Sequence, residues 1–151
     1  LTAAREALRM ALAARSPYPP ARYYLALLAL TDREPREALR QLEALIRARP
    51  RHWEGRMLRA AVLSEKPSEG LTAARDLVGE DPADPRAQYL LWQAALGAGQ
   101  TEVAAAAHLA LGSLLEEEGA GRRLAEFQAA TRGVYLAPNR RKAVPGWRQY
   151  R

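Results

Sequence analysis

The chain has no cysteine, which excludes disulfide bonds and thiolate metal sites and leaves the redox compartment open. It has only two histidines, His52 and His108, and neither has a nucleophile or a cluster of ligand residues beside it in the sequence. No apolar run approaches the roughly 20 residues that a helix needs to cross a bilayer. We therefore expect no catalytic residue, no metal, no cofactor and no membrane span.

Two further patterns that could carry chemistry also argue against an enzyme. Glu116, Glu117 and Glu118 are adjacent, and side chains one position apart on a helix do not face each other, so they form no acid/base pair. The glycines of the segment 97–99 follow a predicted helix with no strand before them, which excludes a phosphate-binding loop.

Lysine is scarce, with two residues against 21 arginines, a bias typical of GC-rich bacterial coding. The net charge of +6 is unevenly placed. Residues 1–118 carry 15 basic and 16 acidic groups, whereas residues 119–151 carry eight basic groups against Glu126 alone. The body is therefore neutral, and the basic character belongs to the C-terminal segment.

What the chain does contain is repetition. The pentapeptide Arg-Glu-Ala-Leu-Arg occurs at residues 5–9 and again at 36–40, each time opening an apolar helical stretch that ends near a proline, Pro17 or Pro50. Pro82 continues the series at nearly the same interval. A period of roughly 31 to 33 residues is typical of stacked helical hairpins, where each unit buries its apolar face against its neighbours.

Apolar residues at spacings of three and four predict seven helices before residue 119, and no strand signal competes there. Proline, glycine and Asp-Pro pairs separate them. The predicted helices cover about residues 2–15, 20–31, 35–48, 53–65, 69–79, 85–97 and 101–118, and a further amphipathic helix covers about 122–132.

Sliding Pro20 onto Pro85, a shift of two repeat units, also lays Tyr24 on Tyr89 and Ala38 on Val103. With this register the chain resembles the tetratricopeptide repeat family, whose unit is about 34 residues long. The small residues that resemble that family's helix-crossing positions are Ala26, Ala38 and Gly70, and Pro50 and Pro82 resemble its closing prolines. The resemblance implies an all-α, right-handed solenoid of antiparallel helical hairpins.

The predicted organisation is three-part. Residues 1–118 form about three hairpins, residues 119–137 a capping helix, and residues 138–151 a basic tail rich in proline, glycine and aromatic residues. The chain starts at Leu1, and its first helix resembles the second helix of a hairpin, so we expect its partner helix upstream. A cytoplasmic location is favoured.

In the family that the chain resembles, the first helices of the hairpins line a concave groove that commonly holds a peptide. The residues that this resemblance would place in the groove are Tyr23, Leu27, Arg56, Arg59, Gln88 and Trp92. Aromatic and arginine side chains dominate binding energy at interfaces, which favours a protein or peptide partner. The alternative is that Trp92 and Leu27 pack against the next hairpin.

The basic tail allows three interpretations. Its cations could dock on acidic surface such as residues 116–118 of the same chain or of a second copy, giving self-association. They could contact nucleic acid, with the aromatic rings stacking on bases. The tail could also be solvated and without a role. The tail residues concerned are Arg140, Arg141, Lys142, Trp147, Arg148 and Arg151.

Two functions follow. The first is a non-enzymatic protein-interaction scaffold that binds a partner segment in the concave groove. The second, less favoured, is a regulatory or oligomerisation domain of a nucleic-acid-binding protein that uses the basic tail. A faint likeness of residues 111–119 to helical repeats of bacterial transcriptional activators supports the second.

Overall fold

The computed structural model describes residues 2–15 and 18–131, and within these residues the chain is all-α, with eight helices and no strand. The helices are α1 (Thr2–Ala14), α2 (Pro19–Thr31), α3 (Pro35–Ala48), α4 (Trp53–Leu63), α5 (Pro67–Glu80), α6 (Pro85–Gly97), α7 (Thr101–Leu114) and α8 (Ala120–Ala130). Four of them begin on a proline, which suits the first helical position because that residue needs no amide hydrogen bond. None of these helices is long and apolar enough to span a membrane.

Each helix from α1 to α7 packs on a neighbour in sequence, and α6 also contacts α4 and α8. The apolar core forms two clusters that meet at α4. The first cluster joins α2, α3 and α4 around Leu42 and Leu45, and the second joins α4 to α8 around Leu90 and Leu111. The predicted all-helical architecture with consecutive packing is confirmed.

The turns before α4 and α6 have the same geometry, one repeat unit apart. In the first, the amide of Arg49 donates to the carbonyl of Leu45 and the amide of His52 donates to that of Arg49. In the second, residues 81 and 84 donate in the same way to residues 77 and 81. Pro50 and Pro82 each occupy the second position of these turns, so the two predicted closing prolines have equivalent surroundings.

The turns after α2 and α6 also match, and they fix the register between the two helices. Arg33 and Gly99 both have a positive φ, 61° and 72° respectively. The next amide in each turn, of Glu34 or Gln100, donates to a carbonyl five positions back, closing the helix end in the same way. With Arg33 aligned on Gly99, Pro19 rather than Pro20 corresponds to Pro85, so the predicted register is wrong by one position.

The small residues predicted at the helix crossings lie where helices approach closely. Ala26 and Ala38 are fully buried, and a Cβ added at Gly70 would lie 2.9 Å from the Cα of Ser64. Because of the corrected register, Ala104 rather than Val103 corresponds to Ala38, and Ala104 is the buried residue of the two.

The boundary between α7 and α8 differs from its prediction. Helix α7 ends at Leu114 instead of reaching residue 118, and α8 begins at Ala120 instead of 122. Gly119, with a φ of 80°, reverses the chain between them. Helix α8 packs on α6, and its Leu124 belongs to the second core cluster, which places α8 at the C-terminal end of that cluster.

Candidate functional site

The six predicted groove residues divide into two groups. Gln88 and Trp92 are buried, with 5% and 4% of their surface exposed, and Gln88 donates a hydrogen bond of 3.0 Å to the carbonyl of Pro82. The ring of Trp92 lies 4.7 Å from that of His108 and 6.3 Å from that of Tyr89, centroid to centroid. Burial favours the packing alternative for Trp92, and it leaves little of Gln88 accessible to a partner.

The other four groove residues, Tyr23, Leu27, Arg56 and Arg59, are half-buried. Tyr23 and Leu27 pack against the first core cluster and keep part of their surface in solvent. These four residues therefore have the accessibility that partner contact requires. Their binding role stays a prediction.

A second tryptophan, Trp53, organises the surface where α4 and α6 begin. Its indole N–H donates to Oδ2 of Asp84 at 2.9 Å, and the guanidinium of Arg56 lies 5.7 Å from the ring centroid, within range for a cation–π contact. Arg56 also donates two hydrogen bonds, of 2.6 and 3.0 Å, to the carboxylate of Glu80. The half-buried Trp53 ring is thus held from two sides.

Asp84 serves as the cap of α6 and as an ion-pair partner. Its Oδ1 accepts from the backbone amide and from Nε of Arg86, at 2.9 and 3.0 Å, and its Oδ2 accepts from Nη2 of the same arginine at 2.8 Å. Burial alone would raise the pKa of Asp84, but the hydrogen bonds from Arg86 and Trp53 hold that pKa below its ordinary value. The carboxylate is therefore ionised at neutral pH.

Tyr23 extends this surface to α2. Its ring lies 5.9 Å from the ring of His52, and His52 caps α4 by accepting the amide N–H of Gly55 on Nδ1 at 3.0 Å. Burial raises the pKa of the Tyr23 hydroxyl and Glu54 raises it further, while Arg86 lowers it. Tyr23 therefore lies close enough to the first turns of α4 and α6 to interact with Glu54 and Arg86 there. We call the surface formed by Tyr23, His52, Trp53, Arg56 and Arg86 the Trp53 face.

The sequence pattern does not single out Trp53, Asp84 or Arg86 as site residues. The repeat is the feature of the sequence that could have identified these residues. His52 and Asp84 are equivalent cap residues in successive units, so the side chains that follow them belong to one row on neighbouring helices.

The remaining predictions concern the basic tail and metal binding. The tail residues Arg140, Arg141, Lys142, Trp147, Arg148 and Arg151 lie outside the described residues. Residues 2–15 and 18–131 contain no group of three or more acidic or histidine side chains that could hold a metal ion.

Comparison with known proteins identifies no family for the chain. No family model matches the chain, and neither a curated protein nor a solved structure matches it.

Proposed function

We propose that the chain is a non-enzymatic protein-interaction scaffold of the tetratricopeptide type. In this proposal residues 1–118 form a right-handed solenoid of antiparallel hairpins, residues 119–137 cap its end, and residues 138–151 are a basic extension. The matched turns at 49–52 and 81–84, and the alignment of the ends of α2 and α6, support a repeat architecture.

We place the binding surface on the Trp53 face. The observation that carries this assignment is the double restraint on Trp53, whose N–H is bonded to Asp84 while Arg56 lies against its ring. A rigid aromatic side chain that is neither fully buried nor free to rotate loses little entropy on binding, which makes it suited to anchor a partner. Tryptophan, tyrosine and arginine are also the residues that dominate interface energy.

The partner is a segment of protein, extended or helical, that crosses the starts of α2, α4 and α6. Arg59 and Leu27 lie further along α4 and α2 and are half-buried, so they extend the same surface. Gln88 and Trp92 support it from the core, since both are buried in α6.

The test is to select peptides from a random library on the immobilised full chain and to measure their affinity for variants. Trp53→Ala and Arg56→Gln should each weaken the selected peptides about tenfold or more, because anchor residues at interfaces cost this much when truncated. Arg75→Gln, an exposed charge change on α5, is the matched control and should leave affinity unchanged.

Circular dichroism and thermal melting establish that each variant is folded before its affinity is compared. Peptides that bind Trp53→Ala as tightly as the original chain would refute the assignment of the Trp53 face. Failure of the library to yield any peptide above background would count against a peptide-binding function as a whole.

A further inference from the structure

An open groove of about 990 Å³ lies beside the Trp53 face, between Arg15 and residues 18–20 on one side and residues 48–52 on the other. We call it the loop groove. The residues that line it are Arg15, Tyr18, Pro19, Pro20, Ala48, Arg49, Pro50, Arg51 and His52. Since His52 belongs to both surfaces, a ligand that occupies the Trp53 face can continue into the loop groove.

Three arginines, Arg15, Arg49 and Arg51, give the loop groove its charge. All three are exposed, and none of them forms an ion pair with any residue in the described part of the chain. Arg51 is near enough to Glu80 to lower the pKa of that carboxyl, yet the hydrogen bonds of Glu80 come from Arg56. Among the residues that the structure describes, none of those lining the groove is acidic.

The turn itself does not require these arginines. The turn at 81–84 has the same hydrogen bonds and similar cap dihedrals, with Asp81 in place of Arg49 and Ala83 in place of Arg51. Basic residues are favoured at a helix C-terminus by the helix dipole, but α5 ends at Glu80, has Asp81 as its cap and is followed by the same turn. The turn therefore does not account for the two arginines of the 49–51 segment.

The floor of the groove suits an extended chain. Pro19, Pro20 and Pro50 have fixed φ angles, and Tyr18 adds an aromatic surface, so the lining is apolar and stiff between the guanidinium groups. Arginine binds carboxylates through paired hydrogen bonds, and several arginines along an apolar channel match a segment with several carboxylates.

We propose that the loop groove binds an acidic stretch, rich in aspartate and glutamate, of the partner segment whose adjoining residues contact the Trp53 face. This inference rests on the proposed function and adds the chemistry of the partner. Arg49 and Arg51 pair with carboxylates, and Arg15 closes the opposite side of the groove.

The experiment measures binding of a fluorescein-labelled octaglutamate peptide to the full chain by fluorescence anisotropy at fixed salt. The double variant Arg49→Gln/Arg51→Gln should weaken binding about tenfold, since it removes two carboxylate partners. The matched control is Arg36→Gln/Arg75→Gln, which removes the same charge from exposed positions outside the groove and should change affinity less than about twofold.

Equal losses of octaglutamate affinity in the two double variants would overturn the proposal. They would show that the peptide is attracted to the net positive charge of the chain and not to the loop groove. A labelled oligothymidylate of matched charge serves as the other probe. Binding of this oligonucleotide more tightly than octaglutamate, with the loss confined to the groove variant, would overturn it in favour of nucleic acid.

The library peptides separate this inference from the function on which it rests. If they lose affinity with Trp53→Ala but not with Arg49→Gln/Arg51→Gln, the acidic-segment proposal fails and the scaffold function stands. The binding of octaglutamate could weaken with Arg49→Gln/Arg51→Gln while no library peptide loses affinity with Trp53→Ala. The loop groove is then an acidic-peptide site, and the Trp53 face is not its continuation.

Discussion

The indole N–H of Trp53 and Oδ2 of Asp84 are joined by a hydrogen bond of 2.9 Å that links the starts of α4 and α6. The same carboxylate caps α6 and pairs with Arg86, so four donor groups converge on one side chain. Because Asp84 is buried, leaving any of these donors unpaired costs more than losing an exposed contact.

We expect Asp84→Asn to lower the free energy of unfolding at neutral pH by about 1 to 3 kcal/mol. Asparagine can still accept the cap hydrogen bond, but it loses the charge that Arg86 pairs with. Urea denaturation followed by circular dichroism measures the change. Asp81→Asn, an exposed position in the turn that precedes α6, should cost less than about 0.5 kcal/mol. Similar losses in both variants would contradict the special role of Asp84.

The pH dependence of stability should reveal the same residue. Burial opposes ionisation of Asp84, yet hydrogen bonds from Arg86 and Trp53 leave its folded-state pKa below the ordinary 3.8. A lowered folded-state pKa gives stability that is present above the unfolded-state value and is lost as pH falls through the folded-state value. Stability should therefore fall on acidification below about pH 4, and less so in Asp84→Asn. Parallel curves for the two proteins would show that other carboxylates cause the loss.

Arg33 occupies a backbone conformation that favours glycine, and the matching turn after α6 has Gly99 there. We expect Arg33→Gly to raise the free energy of unfolding by about 0.5 to 1 kcal/mol, because left-handed backbone is costly for a residue with a Cβ. Gly99→Ala, at the equivalent position, should lower it by about 1 kcal/mol. Thermal melting of the two variants tests both signs, and a stabilising Gly99→Ala would refute the equivalence of the turns.

The helices were the most predictable part of the fold. The ranges 35–48 and 85–97 are confirmed to the residue, because proline starts these helices and local turn signals end them. The register between repeats was less predictable, since alanine-rich helices match one another at several shifts. An error of one residue rotates a helix by about 100°, and Trp92, which that register predicts to line a groove, is buried in the structure.

The repeated pentapeptide shows what sequence alone could not give. Ala38 in the second copy is fully buried, whereas Ala7 in the first copy is exposed. Their sequences are identical, but α3 packs against α2 and α4, and α1 packs chiefly against α2. The Trp53–Asp84 contact was missed for a related reason, because it joins residues 31 positions apart and depends on how the helices are stacked.

Two leucines of α7 test which face of that helix packs in the core. Leu109 is 77% exposed and Leu111 is fully buried. We expect Leu111→Ala to lower the free energy of unfolding by about 2 to 5 kcal/mol, since it leaves a cavity in the second core cluster. Leu109→Ala should change it by less than about 0.5 kcal/mol. Chemical denaturation of both variants checks the difference, and a large loss for Leu109→Ala would mean that another surface covers α7 in solution.

Two glycines of α5 should respond in opposite directions to the same substitution. A Cβ at Gly70 would meet the Cα of Ser64 at 2.9 Å and the carbonyl oxygen of Leu63 at 3.0 Å. These are backbone atoms that cannot move aside, so Gly70→Ala should destabilise the fold by about 1 to 3 kcal/mol. A Cβ at Gly79 meets no atom within 4 Å, and alanine is the better helix former there, so Gly79→Ala should stabilise it by about 0.5 to 1 kcal/mol. Urea unfolding of the two variants decides the matter. Stabilisation by both would show that α4 and α5 do not approach closely at Gly70, and the small-residue crossing between these helices would then be wrong.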